Sequence, residues 1–210
     1  MELTKSLVDV QWLRANVLDP RVRVIDLRWY LHGKSAAEEY AKGHIEGAVF
    51  VDLQSDLTPV EGPGRHPIPS AEQFEKAMRK AGVSADTRVV AYDDAGGSIA
   101  ARLWWLLHHF AHPHASILDG GLAAWLAAGG ALTTEVPRVA PSDFRARPPW
   151  TDRAVDKTYV RKALAGGALV LDARSAERYR GDSEPVDARP GHIPGARSAP
   201  WPGNLEEGIF

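Results

Sequence analysis

Short apolar runs rich in β-branched residues alternate along this chain with stretches whose apolar positions recur every three or four residues. "VRVIDL" (22–27), "AVFVDL" (48–53), "TRVVAYDD" (87–94) and "ASILDGG" (115–121) read as strands ended by polar or glycine residues. Between and after them, "SAAEEYAKG" (35–43), "SAEQFEKAMRKAG" (70–82), "SIAARLWWLLHHFA" (98–111) and "LAAWLAAG" (122–129) read as helices. Ser35, Ser70 and Ser98 stand where a cap is needed, and Gly43, Gly82 and Gly129 stand where helices stop. Strand–helix alternation with short loops predicts an α/β fold: a mainly parallel sheet with helices on both faces.

The texture changes at residues 136–156, where four prolines and little periodicity predict an extended linker. Beyond it come a helix (156–167), a strand "ALVLDA", a short helix "SAERYRG" and a loop with a strand, "GHIPGARSAPW". That last segment repeats an earlier one. "GHIEGA" (43–48) returns as "GHIPGA" (191–196), and the apolar runs upstream, "VRVIDLR" (22–28) and "ALVLDAR" (168–174), both end in Asp-x-Arg. Asp26 to Gly43 is 17 residues and Asp172 to Gly191 is 19, so the chain holds an internal repeat offset by 146–148 residues. The predicted organisation is a complete first domain (1–135), a linker (136–156) and the beginning of a second copy (157–210).

Composition narrows the function classes. A 44% hydrophobic, 25% charged chain is ordinary for a globular protein, and a net charge of −2 argues against nucleic acid or an anionic membrane as partner. No apolar run approaches 18 residues and no signal-peptide pattern opens the chain, so a cytoplasmic location is expected. Cysteine is absent, which removes disulfides, thiolate metal sites and cysteine nucleophiles from these 210 residues.

Taken in order, "VIDLRWYL", "AAEEYAKGHIEGAVFVDL", "GRHPIPSAEQF", "VVAYDDAGGSIAARLWWLL" and "ILDGGLAAWLAAG" resemble the N-terminal domain of tandem rhodaneses, the thiosulfate and 3-mercaptopyruvate sulfurtransferases. "LVLDARSAERYRG" followed by "EPVDARPGHIPGARSAPW" resembles the opening of their C-terminal, catalytic domain. The resemblance implies a rhodanese-like sheet with helices on both faces, one complete silent domain and a partial second copy. It also implies sulfur carried as a persulfide on a cysteine of the second domain, in a strand-to-helix loop where backbone N–H groups converge. A small sulfur donor and a thiophilic acceptor are the implied partners, and no cofactor or metal is implied.

In the first copy that loop is "DDAGGSIAAR", and Asp93 occupies the position of the cysteine, 67 residues after Asp26. A carboxylate cannot hold a transferable sulfur. The same count from Asp172 puts the nucleophile near 239–241, beyond the sequence, so the 210-residue chain is expected to be inactive alone. By the same resemblance Arg174 is a donor-binding cation and Asp172 orients the loop, against the plainer reading of a salt bridge at a strand end, as for Asp26 and Arg28. An arginine suits that task because its planar fork binds paired oxyanions and stays charged.

Other candidates have plainer readings. His44 and His192 occur in both copies, which points to a shared structural job. "DDAGGSIAAR" lacks the lysine of a phosphate-binding loop, and a phospho-acceptor reading of Asp93 lacks an acidic cluster beyond Asp94. His108, His109, His112 and His114 crowd seven residues at a helix end, where the dipole favours them over a metal site. Trp104 and Trp105 read as packing, with Trp29 and Tyr30 as candidate cleft residues. A non-catalytic rhodanese-like binding module is the rival function. The short second copy leaves its buried-type strand uncovered, so loose structure or self-association is expected there.

Overall fold

The computed structural model describes residues 5–62, 64–147 and 154–210. They form two compact units, divided within the stretch 148–153.

In the first unit the elements run β1 (Leu7–Val8), α1 (Val10–Asn16), β2 (Val22–Asp26), α2 (Ala36–Lys42), β3 (His44–Ile45), β4 (Val49–Phe50), α3 (Ala71–Lys80), β5 (Arg88–Tyr92), α4 (Ala100–His109), β6 (Ala115–Leu118), α5 (Gly121–Ala127) and β7 (Leu132–Thr133). Five strands make one parallel sheet in the order β1-β6-β5-β2-β4. β3 and β7 form a separate antiparallel pair.

Strand side chains alternate between two cores, as a period of two requires. Ile25, Val89, Ala91 and Ile117 face Phe74 and Met78 of α3 and Leu103, Leu106 and Leu107 of α4. Val24, Val90, Tyr92 and Leu118 face Leu13 of α1 and Leu122 and Trp125 of α5. Covering both faces is what a parallel sheet needs, and it explains why these strands read as nearly continuous apolar runs.

Three details differ from the sequence reading. Residues 48–53 yield only a two-residue edge strand, because Asp52 turns the chain by accepting from the amides of Gln54 (2.9 Å) and Ser55 (2.7 Å). The opening pair β1 and α1, capped by Asp9 through the Trp12 amide (2.7 Å), carries too few residues for a periodic signal. Ser98 is not a cap: its hydroxyl donates to the Ala95 carbonyl (2.9 Å), and α4 is capped from further upstream, as described below.

The proline-containing stretch also enters the first core. Phe144 is buried edge-on against Phe74 at 5.7 Å, and its carbonyl accepts from Arg79 Nε at 2.8 Å. Beneath Phe144 lies His112, whose Nε2–H donates to the Thr87 carbonyl at 2.9 Å. Burial pushes this imidazole from 6.5 down to about 4, with smaller contributions from the neighbouring His114 and His108. The unfolded chain therefore takes up this proton first as pH falls. His112's contribution is intact above pH 6.5 and is lost between 6.5 and about 4; the loss amounts to about 3 kcal/mol. Urea unfolding across this range should show that slope in the parent protein and a flatter one in His112→Gln.

The second unit comprises α6 (Lys157–Ala165), β8 (Leu171–Asp172), α7 (Ala176–Arg180), β9 (Arg197–Ser198) and a 3-10 turn at Trp201–Asn204. Asp156 caps α6 through the Tyr159 amide, Ser175 caps α7, and β8 pairs with β9 in parallel. Ala196 is the one buried apolar side chain among its described residues, while Leu169 and Leu171 are 64% and 57% exposed. Hydrogen exchange should therefore show strong protection in β2 and β5 and weak protection throughout 157–210; equal protection of the two units would overturn this reading. Among the described residues no helix is long and apolar enough to cross a membrane.

Candidate functional site

The repeat seen in the sequence is a repeat of side-chain geometry. At the end of β2, Asp26 and Arg28 are two residues apart and close a fork: Arg28 Nε lies 3.1 and 3.0 Å from the two Asp26 oxygens, and Nη2 lies 2.6 Å from Oδ2. The same Nη2 donates to the Gly43 carbonyl at 2.9 Å, which fastens the strand end to the Gly-His-Ile loop. His44 Nδ1 pairs with the Tyr40 carbonyl at 2.9 Å, its ring stacks on Tyr40 at 3.8 Å, and the Tyr40 hydroxyl donates to Ala48 O at 2.7 Å.

Every contact recurs after β8. Arg174 Nε lies 2.9 and 3.2 Å from the Asp172 oxygens, and Nη2 is 2.6 Å from both Asp172 Oδ2 and the Gly191 carbonyl. His192 Nδ1 pairs with Tyr179 O at 2.7 Å and stacks on that ring at 3.8 Å, and the Tyr179 hydroxyl donates to Ala196 O at 2.8 Å. Both histidines thus hold their loops. The guanidinium of Arg174 depresses the Asp172 carboxyl below its ordinary range, mainly through their hydrogen bonds.

The two clamps differ in cover and charge. The Arg28 and Asp26 side chains are 5% and 0% exposed, against 30% and 12% for Arg174 and Asp172. Asp26 also accepts from the buried Tyr92 hydroxyl at 2.6 Å. Where the first copy passes directly from its helix to Gly43, the second inserts residues 182–190. That insertion brings Glu184 to 3.4 Å from Arg174 Nη1 and to 2.7 Å from Arg178 Nη2. The amide of Asp187 and the Arg178 guanidinium hold the Glu184 carboxyl far below its ordinary value. An open cleft of about 630 Å³ lies here, lined by Asp172, Arg174, Arg189, Gly191, His192 and Ile193 among others. Arg174 thus commits Nε to Asp172, Nη2 to Asp172 and the Gly191 carbonyl, and Nη1 to Glu184.

At the end of β5 stands Asp93, fully buried, and the loop after it wraps around its carboxylate. Oδ1 accepts from the amides of Ala95 (2.9 Å) and Gly97 (2.8 Å); Oδ2 accepts from Ile99 (2.8 Å) and Ala100 (2.7 Å). Gly96 and Gly97 make the turn at φ +64° and +86°, which side chains with a Cβ rarely adopt. The Asp93 carbonyl accepts from Leu122 N at 2.8 Å, and a Cβ on Gly121 would stand 2.4 Å from that oxygen, so only glycine fits there. The result is a cradle of four convergent N–H groups at the start of α4, a geometry made for negative charge and here filled by the chain's own carboxylate.

The remaining candidates scatter. Tyr30 donates to Asp94 Oδ2 at 2.6 Å; burial and this bond raise its phenol well above the ordinary value. Trp29 meets His66 edge-on at 5.2 Å. His108 and His112, one helical turn apart, part company: His108 lies against Trp104 at 4.6 Å, and His112 turns to Thr87. Trp104 and Trp105, on α4 itself, pack against the core, Trp105 stacking on His109 at 4.7 Å. Arg102, unremarked in the sequence, donates to the carbonyls of Leu57, His66 and Pro67 and ties those residues to α4.

Comparison with known proteins gives one consistent relationship. The Rhodanese-like domain family matches residues 9–128. A Pseudomonas aeruginosa protein named "Probable 3-mercaptopyruvate sulfurtransferase" is 41% identical over 206 residues, covering 95% of this chain and 72% of that protein. The thiosulfate sulfurtransferase of Cricetulus griseus is 34% identical over 221 residues, covering 99% of this chain and 73% of that protein. The crystal structure of SseA from Escherichia coli, a 3-mercaptopyruvate sulfotransferase, superposes with a TM-score of 0.88 at 34% identity, over 99% of this chain and 79% of that one. The chain spans 65–74% of the length of the curated relatives it matches.

Proposed function

This chain belongs to the rhodanese family, and from that premise we propose that it is the larger part of a sulfurtransferase moving sulfane sulfur from thiosulfate or 3-mercaptopyruvate to cyanide or another thiophilic acceptor in the cytoplasm. The observation that carries the proposal is the duplicated clamp, Asp-x-Arg gripping a Gly-His-Ile loop. In the first copy that clamp accompanies a four-amide cradle at the next strand end.

The chemistry follows from the cradle. A thiolate at that position of the second copy attacks the outer sulfur of thiosulfate, breaking its S–S bond and releasing sulfite, or the thiol sulfur of 3-mercaptopyruvate, breaking its C–S bond and releasing the pyruvate enolate, which takes up a proton. The bound persulfide anion then rests against backbone donors until the acceptor takes its outer sulfur. Repeat spacing puts that thiolate near 239–241, outside these 210 residues. Asp172 fixes the plane of the Arg174 guanidinium, and the anionic end of the donor takes the place of Glu184 at its Nη1 edge. Asp93 leaves the first copy silent.

The absence of cysteine favours one second reading, a non-catalytic rhodanese-like binding module. Thiocyanate formation from cyanide and either donor separates the two. The product of the uninterrupted reading frame should turn over and lose activity when its loop cysteine becomes alanine, while the 210-residue chain should match the blank. A full product without such a cysteine, binding donor without turnover, would establish the binding module.

A further inference from the structure

Between Asp119 and Thr133 the chain reads "GGLAAWLAAGGAL", which holds only Gly, Ala, Leu and Trp. A helix at a protein surface ordinarily carries polar residues on its outward face. α5 does not. It buries Leu122 and Trp125 and turns Ala123, Leu126 and Ala127 outward, with Leu126 48% exposed. Ala128 and Gly129, just beyond the helix, are exposed as well. Leu132 on β7 and Leu18, which follows α1, are two more leucines left open to solvent.

Beside α5 lies a hollow of about 450 Å³, lined by Arg14, Val17, Glu46, Trp125 and Leu132 among others. Its shape is fixed from within. The Trp125 indole N–H donates to the Ala131 carbonyl at 3.0 Å, and a Cβ on Gly130 would stand 2.3 Å from that ring. Arg14 Nη1 donates to the Ala128 carbonyl at 2.7 Å. The Glu46 carboxylate is exposed and has no hydrogen bond or ion pair among the described residues. Arg14 and Glu46 therefore line one hollow with opposite charge and do not neutralise each other.

We propose that this face is where two copies of the chain associate about a two-fold axis. A two-fold contact sets one patch against itself, so the patch must carry both signs of charge and both a projection and a recess. Arg14 and Glu46 supply the charges. Leu126 projects next to Trp125, which walls the recess. In the pair, Arg14 of each copy meets Glu46 of the other, and both apolar strips leave water. A lipid surface fits less well, because a helix lying on a membrane carries lysine and arginine on its polar flank and α5 carries none. The proposal does not rest on the sulfurtransferase reading.

Sedimentation velocity of the 210-residue chain should show a concentration-dependent species of twice 22.9 kDa. Leu126→Glu, at an exposed position, should weaken that pairing by about tenfold or more. Arg14→Glu and Glu46→Arg should each do the same, since each sets like charges face to face. Mixed in equal amounts, these two charge variants should pair again, because every contact between them joins opposite charges. A parent chain that stays monomeric, or a mixture no more paired than its parts, would overturn the proposal. So would pairing that survives Leu126→Glu and is lost on Leu171→Glu, which would place self-association in the second unit. A monomer that binds phosphatidylcholine vesicles through Leu126 would assign the face to lipid and overturn it equally.

Discussion

Asp93→Ala is expected to destabilise the first unit by about 4 kcal/mol, because four amide donors around a buried carboxylate, two of them buried themselves, lose their acceptor in one step. Each orphaned donor costs about 1–3 kcal/mol, and the sum is held down because a water molecule entering the space satisfies some of them. Asparagine should recover part of the loss. Its oxygen keeps two of the amides, while its NH2 group faces the other two donor to donor. Urea unfolding followed by tryptophan fluorescence reads the order parent, Asn, Ala; a loss under about 1 kcal/mol for alanine would mean that the loop holds its shape without the carboxylate.

The second large effect separates the two clamps. Asp26→Ala strands the Arg28 guanidinium, 5% exposed, without its counter-charge and removes the acceptor of the Tyr92 hydroxyl. Breaking one side of a buried pair costs about 3–5 kcal/mol. Asp172→Ala removes a chemically identical partner, but Arg174 is 30% exposed and still has Glu184 at 3.4 Å. Water and Glu184 take up the charge, so the cost is about 1 kcal/mol. Parallel denaturant titrations of the two variants should differ accordingly. Equal losses would mean that burial does not set the strength of these forks.

The sheet and its helices were largely legible from the chain, and for a physical reason. Val22, Val24 and Val89–Tyr92 are buried on both faces, so their apolar runs are uninterrupted, and the helices keep a clear 3.6-residue stripe such as Phe74 and Met78. What failed to show was set by tertiary contact. β1 exists because Leu7 and Val8 find Ile117 and Leu118 across the sheet. Phe144, in a proline-containing stretch without periodicity, is placed by Phe74 and Arg79 rather than by local pattern.

The site was legible as a repeat of letters, and its meaning emerged only in three dimensions. Asp-x-Arg and Gly-His-Ile marked both clamps. Tyr40 and Tyr179 passed unnoticed because one precedes its histidine by four residues and the other by thirteen; the shared Tyr-to-Gly ending of their helices was the available signal. Glu184 has no counterpart in the first copy, so the repeat carried no hint of it. Ser98 looked like the natural cap of α4, yet Asp93, several residues upstream, reaches its first amides because two glycines fold the loop back.

The most direct test of the whole account is the intact mass of the protein from its natural source, before and after exposure to thiosulfate or 3-mercaptopyruvate. The account predicts a mass well above 22.9 kDa and the gain of one sulfur atom on a cysteine beyond residue 210, removable by cyanide. A protein of 22.9 kDa that gains no sulfur would contradict it.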